Sequence, residues 1–348
     1  MAGFELIGDT KLMGRPVFDV VRYLALQPTL AVRSHSGDAR EWPIARQLLR
    51  GGSEVVIDAT ALASAHLLGL LTTLPRLNHR FIVPKAVLDE VQEISLNAAN
   101  QRTARHSIGF HQGKLFMHES SPEQLAREVE SLERVQSFVR DYCEVAGGEA
   151  TLDLPVALRA LLEELVGEAA TDALALAKKR NAVLWTDDRG LQVLAKSSDC
   201  GVRTAWTQAV LWEARDAKLI TLPEYVRFVG NLVVCGYVFT GLSARDVAQL
   251  LRRVGWRARS PLGSAVARLV TDVALHSPNN TLITARAFVL IWDQCPRRGR
   301  ARDIIVSILD GIGRDRVAPL LAAVCRNPLP EFRRTNLRPL KRMLRSWR

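Results

Sequence analysis

The sequence predicts an α/β domain on a parallel sheet, followed by a basic all-α domain. Over residues 53–211, short apolar runs that read as strands buried on both faces alternate with helical segments. From Trp212 onward, apolar residues recur every three and four positions instead. The charge divides at the same place. Residues 212–348 hold 24 Lys plus Arg against 10 Asp plus Glu, a net of +14, whereas residues 1–211 carry −3. The +11 of the whole chain therefore belongs to its C-terminal part. A basic block beside a slightly acidic one suggests a polyanionic partner, nucleic acid first and an anionic membrane second.

Residues 1–52 are mixed in pattern and interrupted by Pro16, Pro28 and Pro43. They offer one short helix over 42–49, stopped at Gly51-Gly52, and no indication of a role. Glu54-Val55-Val56-Ile57 is then a nearly continuous apolar run that ends in Asp58, the pattern of a buried strand. A helix over 61–74, apolar almost all round, follows it. Phe81-Ile82-Val83-Pro84 is a second strand, and residues 87–94 form a second helix. The long middle, 96–166, reads as mostly helical. Pro122-Glu123 opens a helix through Ser137, with Leu125, Val129, Leu132, Val135 and Phe138 three and four apart. Next come a helix over 172–180, a strand over 182–186, a helix over 190–196 and a last strand over 202–205. The C-terminal part predicts helices over 222–234, 244–254, 261–275, 284–295, 303–312 and 317–325, with a basic end from Glu331. Ser243 is placed to cap the second of these.

Composition narrows the class. With 48% hydrophobic and 24% charged residues the chain is globular rather than disordered. The N-terminus lacks the apolar stretch of a secretory signal. No run approaches the roughly 20 apolar residues that cross a bilayer; the best, 231–239, is short and contains Gly236. Cys143, Cys200, Cys235, Cys295 and Cys325 form no CxxC pair, which argues against a disulfide framework or a cysteine zinc site and fits buried thiols in the cytoplasm. A GxxxxGK[ST] phosphate loop, a GxGxxG after a strand and a GxSxG elbow are all missing. Asp58-Ala59-Thr60 lacks the second aspartate of a DxD phosphatase motif. His106, His111 and His118 are spaced by five and seven, which suits no familiar zinc pattern.

Four carboxylates remain. In an open parallel sheet, chemistry gathers outside the carboxyl ends of the strands. Asp58 ends the first strand, and Asp187-Asp188 follows the strand over 182–186. Glu90 lies on the helix after the second strand, and Asp172 opens the helix that leads to Asp187-Asp188. Several carboxylates crowded together stay ionised only beside a cation. Oxygen donors suit Mg²⁺ or Mn²⁺, which can polarise a phosphate oxygen and acidify a bound water. Each acid also has an ordinary reading: Asp58 as a helix cap, Asp172 as a first-turn acid, Asp187 and Asp188 in an Asx turn, Glu90 as a solvated helix residue. Asp89, on another face of its helix, reads as surface.

In these blocks the chain resembles the PIN-domain family, nucleases that include VapC-type toxins and several RNA-processing enzymes. The matching residues are Val55-Val56-Ile57-Asp58-Ala59-Thr60, then Val83-Pro84 with Val87 and Glu90. Thr171-Asp172-Ala173-Leu174-Ala175-Leu176-Ala177 and Ala182-Val183-Leu184-Trp185-Thr186-Asp187-Asp188 follow, in the family's order and within residues 53–208. The resemblance implies a three-layer, Rossmann-like domain that cleaves single-stranded or structured RNA with Mg²⁺ or Mn²⁺ by attack of water. It implies Asp58, Glu90, Asp172 and Asp188 as the metal-binding and catalytic acids, with Thr60, Thr186 and Asp187 in support. The stretch between Glu90 and Asp172 is longer than in compact toxin members, which leaves Glu168, one turn earlier, as the alternative third acid. The Thr-x-Asp pattern selects Asp188 over Asp187. The long middle and helical tail are more similar to PIN domains of large multidomain proteins, and relatives often pair as homodimers. A catalytically silent module that binds RNA or protein is the alternative function.

In the basic part, Arg252-Arg253, Arg257, Arg259, Arg297-Arg298, Arg300 and Arg302 cluster charge. So do Arg333-Arg334, Arg338, Lys341-Arg342, Arg345 and Arg348. Guanidinium forks match phosphate geometry. Arg297, Arg298, Arg333, Arg334, Arg338, Lys341 and Arg342 are the candidate RNA contacts; an acidic partner protein is the other occupant. Trp185, Trp206, Trp212, Trp256 and Trp347 read as packing residues, the last two with base stacking as the lesser option.

Overall fold

The computed structural model describes residues 17–18, 21, 32–34, 40–50, 54–100, 105–111, 114–235, 237–238, 244–260, 262–264, 266–267, 270–271, 280–312, 317–326 and 337–347. Two compact units emerge. One comprises Glu5–Tyr23 and Ala45–Val210; the other comprises Met1–Phe4, Leu24–Ile44 and Leu211–Arg348.

A first helix, α1, spans Glu41–Leu49. The elements that follow are β1 (Glu54–Ile57), α2 (Ala59–Leu68), β2 (Arg80–Pro84), α3 (Lys85–Asn100), β3 (Arg105–His111) and β4 (Lys114–Ser120). Then come α4 (Pro122–Tyr142), β5 (Cys143–Ala146), α5 (Val156–Val166), α6 (Glu168–Lys179), β6 (Val183–Trp185), α7 (Arg189–Ala195) and β7 (Arg203–Ala205). Five strands form one sheet in the order β5-β2-β1-β6-β7, every neighbouring pair parallel. The sequence-predicted α/β fold is therefore present. Val55, Val56 and Ile57 are buried completely. That is why β1 is apolar without alternation: helices cover both faces of the central strand. In α6, small residues from Ala170 to Ala177 are all buried and share a core with Val56, Ile82 and Leu184. A helix so rich in alanine lies close on the sheet, and each Leu or Val it buries is worth about 1.5–3 kcal/mol.

The strand order reverses between β1 and β6, because the chain builds outward through β2 and β5 before returning to the other side of β1. This switch point opens a crevice at the carboxyl ends of two adjacent strands.

Three expectations change. The helix foreseen over 61–74 stops at Leu68, where Gly69 takes a left-handed conformation (φ 71°) and its N–H bonds Ala65 and His66 carbonyls. The middle segment is mostly helical, as foreseen, but not throughout. It contains an antiparallel hairpin, β3 with β4, in register from Arg105↔Ser120 to His111↔Lys114. It also contributes the edge strand β5, paired with β2 from Phe81↔Cys143 to Pro84↔Ala146. An edge strand is half solvated, so Cys143-Glu144-Val145-Ala146 lacks the apolar run that marks a central strand. α4 runs on to Tyr142 and is opened by a capping box between Ser121 and Gln124, with Pro122 at its start.

The second unit is helical. Its elements are α8 (Thr207–Asp216), which begins at the end of the first unit, α9 (Leu222–Val234), α10 (Ala244–Arg253), α11 (Asn280–Gln294), α12 (Arg298–Ile312), α13 (Val317–Arg326) and α14 (Arg338–Trp347). A two-residue parallel pairing of Val32–Arg33 with Tyr237–Val238 is a small exception to an all-α expectation. Of the helix foreseen over 261–275, the described residues 262–264, 266–267 and 270–271 are helical. Trp212 packs on Trp42 with ring centroids 5.0 Å apart. The Arg215 guanidinium lies over Trp212 and Tyr225, at 5.2 and 4.7 Å. Gly51, Gly52, Ser243, Glu331, Arg333, Arg334 and Arg348 lie outside the described residues. Among the described residues, no helix is long and apolar enough to cross a membrane, and Cys143, Cys200, Cys235 and Cys295 are free thiols.

Candidate functional site

Asp58 and Asp188 stand at the carboxyl ends of β1 and β6, adjacent strands in register at Ile57↔Trp185. Each leads directly into a helix and caps it. Asp58 Oδ1 accepts the Ala61 N–H at 2.7 Å, and Asp188 Oδ1 accepts the Leu191 N–H at 2.8 Å. The cap reading foreseen for Asp58 and the strand-end placement thus coincide in one residue. Two helix N-termini, each a source of positive potential, face the same crevice.

Two threonines join these aspartates. Thr186 Oγ1 donates to Asp58 Oδ2 at 2.5 Å and accepts the Asp188 N–H at 3.1 Å. Thr60 Oγ1 donates to Asp58 Oδ1 at 2.8 Å and accepts the Asp187 N–H at 2.9 Å. The two hydroxyls lie 3.2 Å apart. Gln192 fixes the same turn: its side-chain N–H₂ donates to the Thr186 carbonyl at 3.0 Å. Burial pushes the Asp58 carboxyl up to about 7, with the charge of Asp187 adding to it and hydrogen bonds from Thr186, Ala61 and Thr60 opposing it.

Asp187 faces a different environment. It is fully buried, and its carboxylate accepts the Thr207 N–H at 2.8 Å and the Thr207 hydroxyl at 2.6 Å. Burial raises its carboxyl, while Ser64 and Thr207 work against that rise. Asp187 therefore ties the end of β6 to the start of α8, while Asp188 is held by Thr186. The Asx turn foreseen for these residues gives way to a helix cap.

Asp172 lies on α6, 8% exposed. A 3-10 turn, Gly148–Asp153, passes so near that a Cβ on Gly148 would stand 3.4 Å from Asp172 Oδ2. Burial, then the charges of Glu168 and Glu163, push its carboxyl up to about 6. Glu168, the alternative third acid, sits exposed in the first turn of α6. Glu90, half-buried on α3, accepts the backbone N–H of Phe18 at 2.7 Å. Asp89 is exposed and pairs with Lys85, as a surface residue should.

Oxygen-only donors are the right chemistry for a hard divalent ion. Their placement is less closed than the sequence led one to expect. Among the described residues, no three His, Cys, Asp or Glu side chains are gathered so as to hold a metal ion. Asp58, Thr60, Thr186, Asp187 and Asp188 form one hydrogen-bonded group, while Glu90 on α3 bonds the Phe18 backbone and Asp172 stands on α6 beside Gly148.

Sequence reasoning passed over Ser64, Gly148, Gln192 and Thr207. Thr207 had a usable signal: it lies within three residues of the end of its strand, as Asp58 and Asp188 do of theirs. Gly148 had none, because it follows the edge strand that was read as helix.

Of the other sequence candidates, Trp185 and Trp206 are core residues, and the Trp185 indole N–H donates to Thr207 Oγ1 at 3.1 Å. Trp256 is also buried. Arg297, Arg298, Arg338 and Arg342 are exposed and Lys341 is half-buried.

Residues 56–197 match a family model described as the PIN domain associated with the TPR-GreAB-C-PIN system. No curated protein and no solved structure matches the chain.

Proposed function

Because residues 56–197 are a PIN domain, a nuclease-like fold, we propose that this chain is a metal-dependent endoribonuclease that hydrolyses RNA phosphodiesters. The observation that carries the reading is the joined pair of strand ends: Thr186 bridges Asp58 to the Asp188 N–H, and Thr60 bridges it to the Asp187 N–H, at the switch point of the sheet. Asp58, Glu90, Asp172 and Asp188 are the proposed metal-binding and catalytic acids. Mg²⁺ or Mn²⁺ bound to such oxygens supplies polarisation of the phosphate and a more acidic water.

The protein's own groups hold and orient. Thr60 and Thr186 fix the Asp58 carboxylate, Gln192 fixes the Thr186 turn, and Asp187 anchors that turn to Thr207. Asp172, whose carboxyl burial and the charges of Glu168 and Glu163 raise in the metal-free protein, would be held ionised by a cation bound beside it. Residues 53–211 form the catalytic domain in this reading. The basic domain, 212–348, holds RNA, with Arg297, Arg298, Arg333, Arg334, Arg338, Lys341 and Arg342 as contacts. The family's description names a system of several parts, which supports work beside partner proteins; the cytoplasm is the proposed setting.

The test is cleavage of total cellular RNA with Mn²⁺ or Mg²⁺. Asp58→Asn abolishes cleavage and keeps the fold. Full activity in that variant, or in EDTA, overturns the reading.

A catalytically silent RNA- or protein-binding module is the second reading. It is favoured by the spacing of the acids, which gather no three-ligand group among the described residues, and by the bond of Glu90 to Phe18. It expects no turnover with Mn²⁺ and binding that ignores chelation.

A further inference from the structure

Two arginine clusters that are some forty residues apart in sequence meet on one surface of the helical unit. Arg252 and Arg253 end α10, and Arg257 and Arg259 lie in the turn after it. Arg297, Arg298, Arg300 and Arg302 surround the start of α12. The two stretches are tied directly. Arg300 Nη1 donates to the Gly255 carbonyl at 2.8 Å, and Arg252 Nη2 donates to Gln294 Oε1 at 3.2 Å, three residues before Arg297.

The turn is rigidly anchored. Gly255 and Trp256 both take left-handed conformations, φ 60° and 59°. The Trp256 N–H bonds the Leu251 carbonyl at 2.8 Å and the Gly255 N–H bonds Arg252 at 3.0 Å, which closes α10. The Trp256 side chain is 5% exposed, so the indole is sunk into the unit while Arg253, Arg257 and Arg259 stay exposed. Trp292, also buried, carries the Arg298 guanidinium over its ring at 5.3 Å.

None of the eight arginines pairs with a carboxylate among the described residues. The first turn of α12 carries no acid, so its arginines stand at the positive end of a helix dipole, where a cation is unfavourable. An anion there relieves both the mutual repulsion and the dipole.

We propose that this seam between the end of α10 and the start of α12 binds the phosphate backbone of single-stranded RNA. Surface chemistry separates this occupant from a protein or a membrane. Protein interfaces are centred on exposed apolar anchors and depleted of charge at their core. The exposed large apolar residues of this unit, among those described, are Ile44 and Leu222, neither in the seam. A membrane-resting surface needs apolar side chains to insert, and here both tryptophans face inward. Only the choice of RNA over another polyphosphate rests on the ribonuclease reading above.

The test uses the full chain in EDTA, with a fluorescently labelled single-stranded RNA and anisotropy as readout, so that binding is measured without turnover. Arg253, Arg257, Arg259 and Arg297 are replaced by Gln together; Arg252 and Arg300, which make internal bonds, are kept. The expected result is at least a roughly tenfold loss of affinity, and a log K against log salt slope lower by about 2–3, since each neutralised phosphate contributes about 0.7 on a single strand. A control removes the same charge from the other unit, at Arg76, Arg127, Arg140 and Lys179, and binds as the parent does. Unchanged affinity in the seam variant, equal loss in the control, or displacement of RNA by polyglutamate at equal charge overturns the proposal. Cleavage without a seam effect defeats this proposal alone, whereas seam binding without cleavage defeats the ribonuclease reading alone.

Discussion

Thr186 reaches across from β6 to β1 and donates its hydroxyl proton to Asp58 Oδ2 at 2.5 Å. Removing that donor leaves a buried carboxylate oxygen short of a partner, at a cost of about 1–3 kcal/mol. Thr186→Val is therefore expected to lower the melting temperature and to reduce RNA cleavage at least about tenfold, while Thr186→Ser keeps most of both. Thermal melts alongside cleavage rates check this; equal activity in the Val and Ser variants excludes the role.

In metal-free protein, stability should fall as pH rises from about 4 to 7. The folded Asp58 carboxyl sits at about 7 against an ordinary value of 3.8. Between those values the native state keeps a proton that the unfolded chain has released, so unfolding gains from every rise in pH. Above about 7 both states are ionised and the loss levels off. Asp172 adds a similar decline that ends near its value of about 6. Asp58→Asn removes its own share of the slope, while Asp187, whose carboxyl burial also raises, keeps its share, and the variant melts higher than the parent at pH 8. Urea titrations in EDTA at pH 5, 6, 7 and 8 measure this, and stability that climbs over the same range contradicts it.

Asp172 owes part of its raised carboxyl value to neighbouring charge. Burial is the larger cause, with Glu168 and Glu163 next. Glu168→Gln should lower the Asp172 value by a measurable fraction of a unit in a ¹³C carboxyl NMR titration of metal-free protein. An unmoved resonance midpoint removes Glu168 from its surroundings.

Gly148 offers the opposite handle on the same acid. A Cβ there would stand 3.4 Å from Asp172 Oδ2, an ordinary contact distance, so Gly148→Ala fits without rebuilding the turn. The added methyl takes the place of water beside the carboxylate and raises its value further. The variant should fold normally, titrate higher at Asp172 and cleave more slowly at pH 6 than at pH 8 relative to the parent. A lower Asp172 value in the alanine variant rules this out.

Asp187→Ala is expected to act on stability rather than on chemistry. It strips the Thr207 N–H and hydroxyl of their buried acceptor and should cost about 2–4 kcal/mol. Chemical denaturation measures it. A loss of cleavage with unchanged stability would transfer Asp187 to the reacting centre.

What the sequence reveals depends on how far burial is local. β1 and β6 are covered on both faces, so Val55-Val56-Ile57 and Val183-Leu184-Trp185 announce themselves, and the acids that follow within three residues mark the strand ends. Asp58 and Asp188 were visible for that reason. β5 was not, because solvent on one side removes the pattern. The hairpin was hidden by its own brevity: Ile108, Phe110, Leu115 and Met117 alternate over too few positions to outweigh helical neighbours. The division of labour between Asp187 and Asp188 was only half legible. Thr-x-Asp points to Asp188, but the grip of Thr207 on Asp187 exists only once β7 has taken its place in the sheet.

Asp58 and Thr186 are bonded neighbours separated by 128 positions of chain. A nascent polypeptide still lacking the second half of that span carries the first aspartate with only its local partners, Thr60 and the Ala61 N–H. Contacts this distant in sequence also form late, since loop closure must precede them. Synthesis itself thus withholds the assembled cluster until nearly all of the first unit has emerged.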